Sequence, residues 1–161
     1  GRLILGILID TPVPIKMIGD KSLSKRDFKR VTDPLSGFGA TFRLNKSYGL
    51  PLTIKGSNKL KPIRYYEKKG SAQCKSSIMF GGIKTNGKTI IKAKKSRDHT
   101  ELLFKHLNLP IKIKNKKNFD LIEINKVKKI DAINYKIPSD ISSSAFFIAL
   151  LEGTCVFYVV E

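Results

Sequence analysis

The 161-residue chain contains an imperfect internal repeat, whose element order constrains the fold more than any other feature. In the first copy, hydrophobic periodicity predicts a helix, strand, helix, strand and strand, in that order: 2–9, 13–18, about 26–38, 40–44 and 50–55. The second copy has the same order after a strand at 62–66: 71–80, 89–93, about 98–107, 111–114 and 119–124. Such alternation predicts an α/β (α+β) arrangement, with helices on one face of the sheets and the copies packed together.

The two copies also agree where a loop enters a helix. Lys25-Arg26-Asp27 in the first copy corresponds to Ser96-Arg97-Asp98 in the second. Each Asp lies where a helix cap or first-turn acid is favourable, and each Arg lies at the positive end of the helix. Gly19-Asp20 is predicted to form the turn that presents Arg26.

Beyond residue 130 the pattern changes. A strand is predicted at 131–136, a turn at 137–140, an apolar helix at 145–151 and a strand at 155–161. The apolar run 145–160 is about as long as a membrane span. Because Glu152 and Gly153 interrupt this run, a buried helix followed by a strand explains it better.

The charge is strongly positive, with 31 Lys and Arg residues against 13 Asp and Glu and a net charge of +18. Such a surplus suggests binding of nucleic acid through its phosphates. However, 25 of the basic residues are Lys, spread over strands and loops, and 6 are Arg, the residue that base readout and bidentate phosphate contacts favour. Nucleic acid is therefore not the expected partner, whereas a basic cleft for small anions is compatible.

Two cysteines, Cys74 and Cys155, provide neither a disulfide framework nor zinc-ligand spacing. No metal is therefore expected, and the simplest location is the reducing cytoplasm. Cys74 has no neighbouring base, which is typical of a packed thiol rather than a nucleophile.

Four motifs occur in register: Gly19-Asp-Lys-Ser-Leu-Ser-Lys-Arg26, Gly70-Ser-Ala-Gln-Cys-Lys75, Ser96-Arg-Asp-His-Thr-Glu101 and Pro138-Ser-Asp-Ile-Ser-Ser-Ser144. Together they resemble the 5-enolpyruvylshikimate-3-phosphate synthases, especially the glyphosate-tolerant bacterial branch, from residue 1 to about 150. The UDP-N-acetylglucosamine enolpyruvyl transferases share the fold, but the motif at 96–101 favours the shikimate enzymes.

The resemblance implies two globular domains, each built from three βαβαββ units with helices inside and sheets facing solvent. Residues 1–130 would form two units of one domain. Residues 131–161 would cross into the other domain and start the next unit. The chain would then be an internal fragment with a partial domain.

The implied reaction transfers the enolpyruvyl group of phosphoenolpyruvate to the 5-hydroxyl of shikimate-3-phosphate, releasing phosphate without a cofactor. Arg26 matches the family's phosphoenolpyruvate-binding Arg, although Asp27 stands where relatives usually have Pro. The residues that match shikimate-3-phosphate ligands are Ser71, Ala72, Gln73 (which also meets phosphoenolpyruvate), Ser96 and Arg97. Ser139 and Asp140 match the hinge between the domains.

Each assignment has a purely structural alternative. Arg26 fits an exposed residue near a helix start, Ser71 and Ser96 fit helix caps, and Asp27 fits either a cap or a competitor for Arg26. An alternative function is a stand-alone basic module that binds RNA or phosphorylated ligands.

The family's N-terminal substrate motif and its acid/base carboxylates have no match here, so no catalytic residue is assigned. Proton transfer at the reacting carbon requires such groups. The chain alone is therefore expected to be inactive, and to dimerise or swap segments through exposed apolar surface.

Overall fold

The computed structural model describes residues 1–134 and 136. It divides the chain into two compact units, Gly1–Ile130 and Asp131–Glu161. In the second unit, residues 131–134 and 136 form no helix or strand, so the strand predicted at 131–136 is wrong for these positions. Ile133 is 48% exposed, and this stretch therefore lacks the buried face that the alternating pattern implied. The elements predicted over 137–161, including Ser139 and Asp140 of the hinge, lie outside the described residues.

Within the described residues, Gly1–Ile130 forms five helices and seven strands: α1 (Arg2–Leu8), β1 (Ile15–Met17), α2 (Lys21–Ser24), α3 (Lys29–Ser36), β2 (Thr41–Arg43), β3 (Leu52–Lys55), β4 (Arg64–Glu67), α4 (Ala72–Gly82), β5 (Thr89–Lys94), α5 (His99–His106), β6 (Ile111–Asn115) and β7 (Phe119–Ile124).

The strands form two sheets with related topology. The first is antiparallel throughout, with the order β1-β3-β2. The second has the order β4-β5-β7-β6, with β4 parallel to β5 and the other pairs antiparallel. The order β5-β7-β6 of the second copy therefore repeats the order β1-β3-β2 of the first.

Helices α1, α3 and α4 pack against one another in the core, whereas α2 has no buried residue. Strand residues alternate between the two faces, so that Ile91 and Ala93 are buried while Lys92 and Lys94 are exposed. Helix α4 is the centre of the core, with eight of its eleven residues buried, and it packs against α1 and α3. The predicted mixed α/β fold is confirmed.

Helices α1 and α4 run side by side in the same direction. A Cβ at Gly6 would overlap the Ser77 carbonyl group, so only glycine permits this close approach. The Ser77 hydroxyl also donates to the Arg2 carbonyl oxygen at 3.2 Å. The N-terminal residue of α1 is thereby fixed beside the first turns of α4.

The first copy differs from the prediction around Arg26. The helix expected over 26–38 begins at Lys29, and the preceding loop contains α2. The reason is two local caps: Asp20 Oδ1 accepts from Leu23 N at 2.6 Å, and Asp27 Oδ1 accepts from Lys29 N at 2.7 Å. The turn predicted at Gly19-Asp20 is thus the start of a short helix. Asp27 accepts from the first backbone N–H of α3 from the position before the N-cap residue, Phe28.

Candidate anion-binding site

A buried carboxylate shapes the turn that leads into α4. Glu67 is 3% exposed, and its two carboxylate oxygens accept from Lys69 N at 3.1 Å and Ser71 N at 2.9 Å. Gly70 adopts φ +68°, a conformation that favours glycine. Ser71 Oγ accepts from Cys74 N at 3.3 Å, so the capping interpretation of Ser71 is confirmed.

Arg2 joins the two copies at this point. Its Nη1 donates to Gln73 Oε1 at 3.0 Å, and its Nη2 donates to the Asp27 carbonyl oxygen at 2.8 Å. The guanidinium carbon also lies 5.7 Å from the centre of the Phe28 ring. One side chain thus connects the first turn of α4 to the segment that carries Arg26.

Positive charge accumulates around Arg2. Burial lowers the pKa of Arg2, and the nearby guanidinium groups of Arg30 and Arg26 lower this pKa further, while Asp27 opposes the shift. Among the described residues, Arg2 Nε is a buried donor without a hydrogen-bond partner. A small anion with several oxygens would satisfy both the excess charge and the unused donors.

Ser96 and Arg97 lie in the loop before α5. This loop contacts the turn before α4, since a Cβ at Gly70 would lie 3.4 Å from the Lys95 carbonyl oxygen. Ser96 Oγ is buried and has no hydrogen-bond partner within the described residues, and the N-cap of α5 is Asp98. The capping alternative for Ser96 is therefore wrong.

The predicted site residues are brought together in part. Arg26 and Gln73 are both exposed. Arg2 brings them together, because it donates to Gln73 and to the carbonyl oxygen of Asp27, the residue after Arg26. Ala72 is the first residue of α4 and is half-buried. Arg97 is exposed, and its side chain forms no hydrogen bond or ion pair with any described residue. The sequence interpretation missed Arg2, although the scarcity of Arg that singled out Arg26 applies to it equally.

Cys74 lies behind this surface and is 2% exposed. Its Sγ donates to the Arg30 carbonyl oxygen at 3.2 Å and lies 3.9 Å from the Tyr65 hydroxyl. Burial is the main cause that raises the pKa of the Cys74 thiol, which disfavours the nucleophilic thiolate. The prediction of a packed thiol is confirmed.

Residues 1–134 and 136 contain neither a metal-binding cluster nor a membrane-spanning helix. These residues include no group of three or more His, Cys, Asp and Glu residues placed to hold a metal ion. None of the helices in this part of the chain has the length and apolar character needed to cross a bilayer.

Comparison with known proteins gives one consistent result. The sequence model of EPSP synthase (3-phosphoshikimate 1-carboxyvinyltransferase) matches residues 1–156. The 3-phosphoshikimate 1-carboxyvinyltransferase of Caldicellulosiruptor bescii is 50% identical over 160 residues, covering 96% of this chain and 37% of the relative. The enzyme of the same name from Caldicellulosiruptor saccharolyticus is 46% identical over 151 residues, covering 92% and 35%. The chain thus spans about a third of the length of these curated relatives.

Solved structures agree with the sequence comparison. EPSP synthase from Acinetobacter baumannii superposes with a TM-score of 0.77 at 35% identity, covering 91% of this chain and 33% of that one. The enolpyruvyl transferase NikO from Streptomyces tendae shares the fold, with a TM-score of 0.53 at 15% identity. The superposition covers 77% of this chain and 29% of that one. The match over residues 1–156, the identity to two relatives and the shared fold show that the chain belongs to the EPSP synthase (3-phosphoshikimate 1-carboxyvinyltransferase) family.

Proposed function

We propose that this chain forms part of the substrate site of a 3-phosphoshikimate 1-carboxyvinyltransferase. The reaction would transfer the enolpyruvyl group of phosphoenolpyruvate to shikimate-3-phosphate and release phosphate. One observation carries the proposal: Arg2 joins Gln73 to the segment of Arg26, which gathers guanidinium groups at the N-terminus of α4. Both substrates are anions, and this arrangement suits anions.

The geometry suggests a division of roles within the site. Arg2 and Arg26 would hold the carboxylate and phosphate of phosphoenolpyruvate through charged hydrogen bonds. The start of α4 offers shikimate-3-phosphate the Ser71 hydroxyl and the backbone N–H groups of Ala72 and Gln73, whereas Ser71 N already donates to Glu67. Because Gln73 Oε1 accepts from Arg2, the amide nitrogen of Gln73 is left to donate to a ligand.

The loop before α5 would complete the contact to shikimate-3-phosphate. Ser96 Oγ is free to donate, and the exposed Arg97 side chain carries a charge that no described acid neutralises. Their loop contacts Gly70, the residue before Ser71. We assign Ser96 and Arg97 to the same substrate for this reason.

Binding, rather than proton transfer, is the proposed contribution of this chain. The two buried carboxylates near the site are already engaged, Glu67 by backbone N–H groups and Glu101 by Lys75. A general acid or base has to be free to exchange its proton with the substrate. A coupled phosphate-release assay on the chain alone should therefore show no turnover.

Self-association of the isolated chain is part of the proposal. Large apolar side chains are exposed on α1, at Ile4 and Ile7, and on α5, at Leu102 and Leu103. Covering such surface favours a dimer or an exchange of segments. Light scattering after gel filtration should give a mass above 18.1 kDa, and a monomer would contradict this.

The free, buried thiol of Cys74 fits the proposed cytoplasmic location.

Calorimetric titration of the chain with shikimate-3-phosphate tests the main proposal. We expect saturable binding that phosphoenolpyruvate strengthens, since both ligands would lie at the start of α4. A titration with a single-stranded polynucleotide serves as the comparison. Absence of shikimate-3-phosphate binding, together with polynucleotide binding that falls steeply with salt, would favour the alternative of a basic nucleic-acid module.

A further inference from the structure

Two segments that precede and begin neighbouring helices lie side by side. We name residues 70–76 the α4 segment and residues 95–101 the α5 segment. The first residues of the two segments are in contact: a Cβ built at Gly70 would lie 3.4 Å from the Lys95 carbonyl oxygen. The proposed shikimate-3-phosphate ligands occupy positions 71–73 of the first segment and 96–97 of the second.

Deeper in the core, two polar contacts join the same segments. Thr100 Oγ1 donates to Ser76 Oγ at 2.7 Å, and both residues are buried. Lys75 Nζ forms an ion pair with Glu101 Oε1, and the two side chains are 0% and 5% exposed. The relative position of the two segments therefore depends on groups that solvent does not reach.

Stability alone does not account for the Lys75–Glu101 pair. Removing two charges from water costs several kcal/mol per ion in rough terms, and an apolar pair of similar volume is often as stable or more stable. Lys75 also lies in the N-terminal half of α4, where the helix dipole disfavours a cation. Some other property of the molecule must depend on the pair.

The environment of Glu101 indicates which property this is. Within the described residues, Glu101 Oε2 is buried without a hydrogen-bond partner, as is Ser96 Oγ. Both residues line one small cavity of about 200 Å³. Glu101 is therefore held by Lys75 on one side and faces the loop of Ser96 and Arg97 on the other.

We infer that Lys75 and Glu101 are positioning residues that set the separation between the two halves of the shikimate-3-phosphate site. Lys75 lies two residues after Gln73 and holds the first turn of α4 in place. Glu101 lies four residues after Arg97 and holds the α5 segment in place. The inference rests on the proposed function, because that function assigns both segments to one ligand.

The test compares two paired substitutions in the full 161-residue chain. Lys75→Met with Glu101→Met removes both charges together, so that no buried charge is left unpaired. Asp10→Asn with Lys84→Met is the matched control, because this ion pair joins the residues just beyond the C-terminal ends of α1 and α4, far from the proposed site. Melting temperature, amide hydrogen exchange at 95–98 and shikimate-3-phosphate affinity are measured for each.

We expect Lys75→Met/Glu101→Met to keep its melting temperature within a few degrees, to exchange about tenfold faster at 95–98 and to bind shikimate-3-phosphate about tenfold more weakly. The control pair should change neither exchange at 95–98 nor affinity. If the doubly substituted chain fails to fold, Lys75→Met with Glu101→Gln, which keeps the shape of the Glu101 side chain and also leaves no buried charge unpaired, should show the same local exchange.

Amide exchange at 95–98 at the wild-type rate in both Lys75→Met/Glu101→Met and Lys75→Met/Glu101→Gln would overturn the inference. Faster exchange with unchanged shikimate-3-phosphate affinity would overturn it too, because the separation would then not matter to the ligand. If the wild-type chain binds no shikimate-3-phosphate, faster local exchange in the variant still supports the positioning role, and the proposed function alone fails.

Discussion

Arg2 Nη1 lies 3.0 Å from Gln73 Oε1, so the first residue of α1 contacts the first turn of α4 across 71 positions of sequence. The contact is possible because α1 and α4 are parallel and approach closely at Gly6. It places the Arg26 segment of one copy beside the helix start of the other. The proposed anion site at this junction thus depends on the packing of two repeats, and neither repeat supplies all of its residues.

Substitution of Arg2 tests this junction directly. Arg2→Gln should weaken phosphoenolpyruvate binding about 10- to 100-fold, since a hydrogen bond to a charged group contributes roughly 1.5–3 kcal/mol. The melting temperature should change little, because the substitution also relieves repulsion with Arg30 and Arg26. Calorimetry and thermal unfolding measure the two effects separately.

Arg43→Gln is the matched control for Arg2→Gln. Arg43 is exposed on β2 and has the same charge, so its removal tests whether net charge alone accounts for affinity. Equal losses of affinity in Arg2→Gln and Arg43→Gln would contradict a specific site and indicate diffuse electrostatic attraction.

Ser71 allows capping to be separated from ligand binding. Ser71→Ala should lower the free energy of unfolding by about 1 kcal/mol, because the acceptor for Cys74 N is lost. Ser71→Asp preserves a cap and should stay within roughly 0.5 kcal/mol of wild type. Its carboxylate would nevertheless repel the phosphate of shikimate-3-phosphate, so affinity should fall in Ser71→Asp. Urea unfolding and calorimetry measure both; undiminished affinity in Ser71→Asp would remove Ser71 from the proposed site.

The regular parts of the fold could be predicted from local patterns. Alternation of Ile and Lys in β6 and a capped apolar run in α4 predict each element to within a few residues, because burial on one face fixes the period. The helix predicted over 26–38 was wrong at its start, since the Asp20 and Asp27 caps divide that region into α2 and α3. Caps of this kind compete locally with a longer helix.

The candidate site was less accessible to sequence reasoning. Arg26 and Gln73 could be proposed from the family resemblance, whereas Arg2 depends on a contact between elements far apart in sequence. Lys75 and Glu101 were equally hidden, because a charged residue in a motif gives no sign that its partner is buried 26 positions away. Packing between the two copies decides the Arg2 contact, and packing of α5 against α4 within the second copy decides the Lys75–Glu101 contact.

Gly6→Ala should disturb both the fold and the site. The added Cβ would overlap the Ser77 backbone, which forces α1 away from α4 and costs about 1–3 kcal/mol as overpacking. Arg2 would move with α1, so phosphoenolpyruvate affinity should fall as well. Ile7→Ala, at an exposed position on the same helix, is the control and should cost roughly 0.5 kcal/mol or less. Urea unfolding that finds equal losses in the two variants would contradict the close contact at Gly6.

Alkaline pH should destabilise the chain through Cys74. Burial raises the pKa of this thiol above its ordinary value of 9.0, and it also raises the pKa of the neighbouring Tyr65 hydroxyl above 10.0. Above pH 9 the unfolded chain therefore loses a proton that the folded chain retains, and the free energy of unfolding falls by up to about 1.4 kcal/mol per pH unit. Cys74→Ala should make this fall shallower between pH 9 and 10, whereas Tyr65→Phe should act mainly above pH 10. Urea unfolding at pH 7, 9, 10 and 11 measures these slopes. A slope between pH 9 and 10 in Cys74→Ala equal to that of the wild type would show that Cys74 ionises as easily when folded as when unfolded.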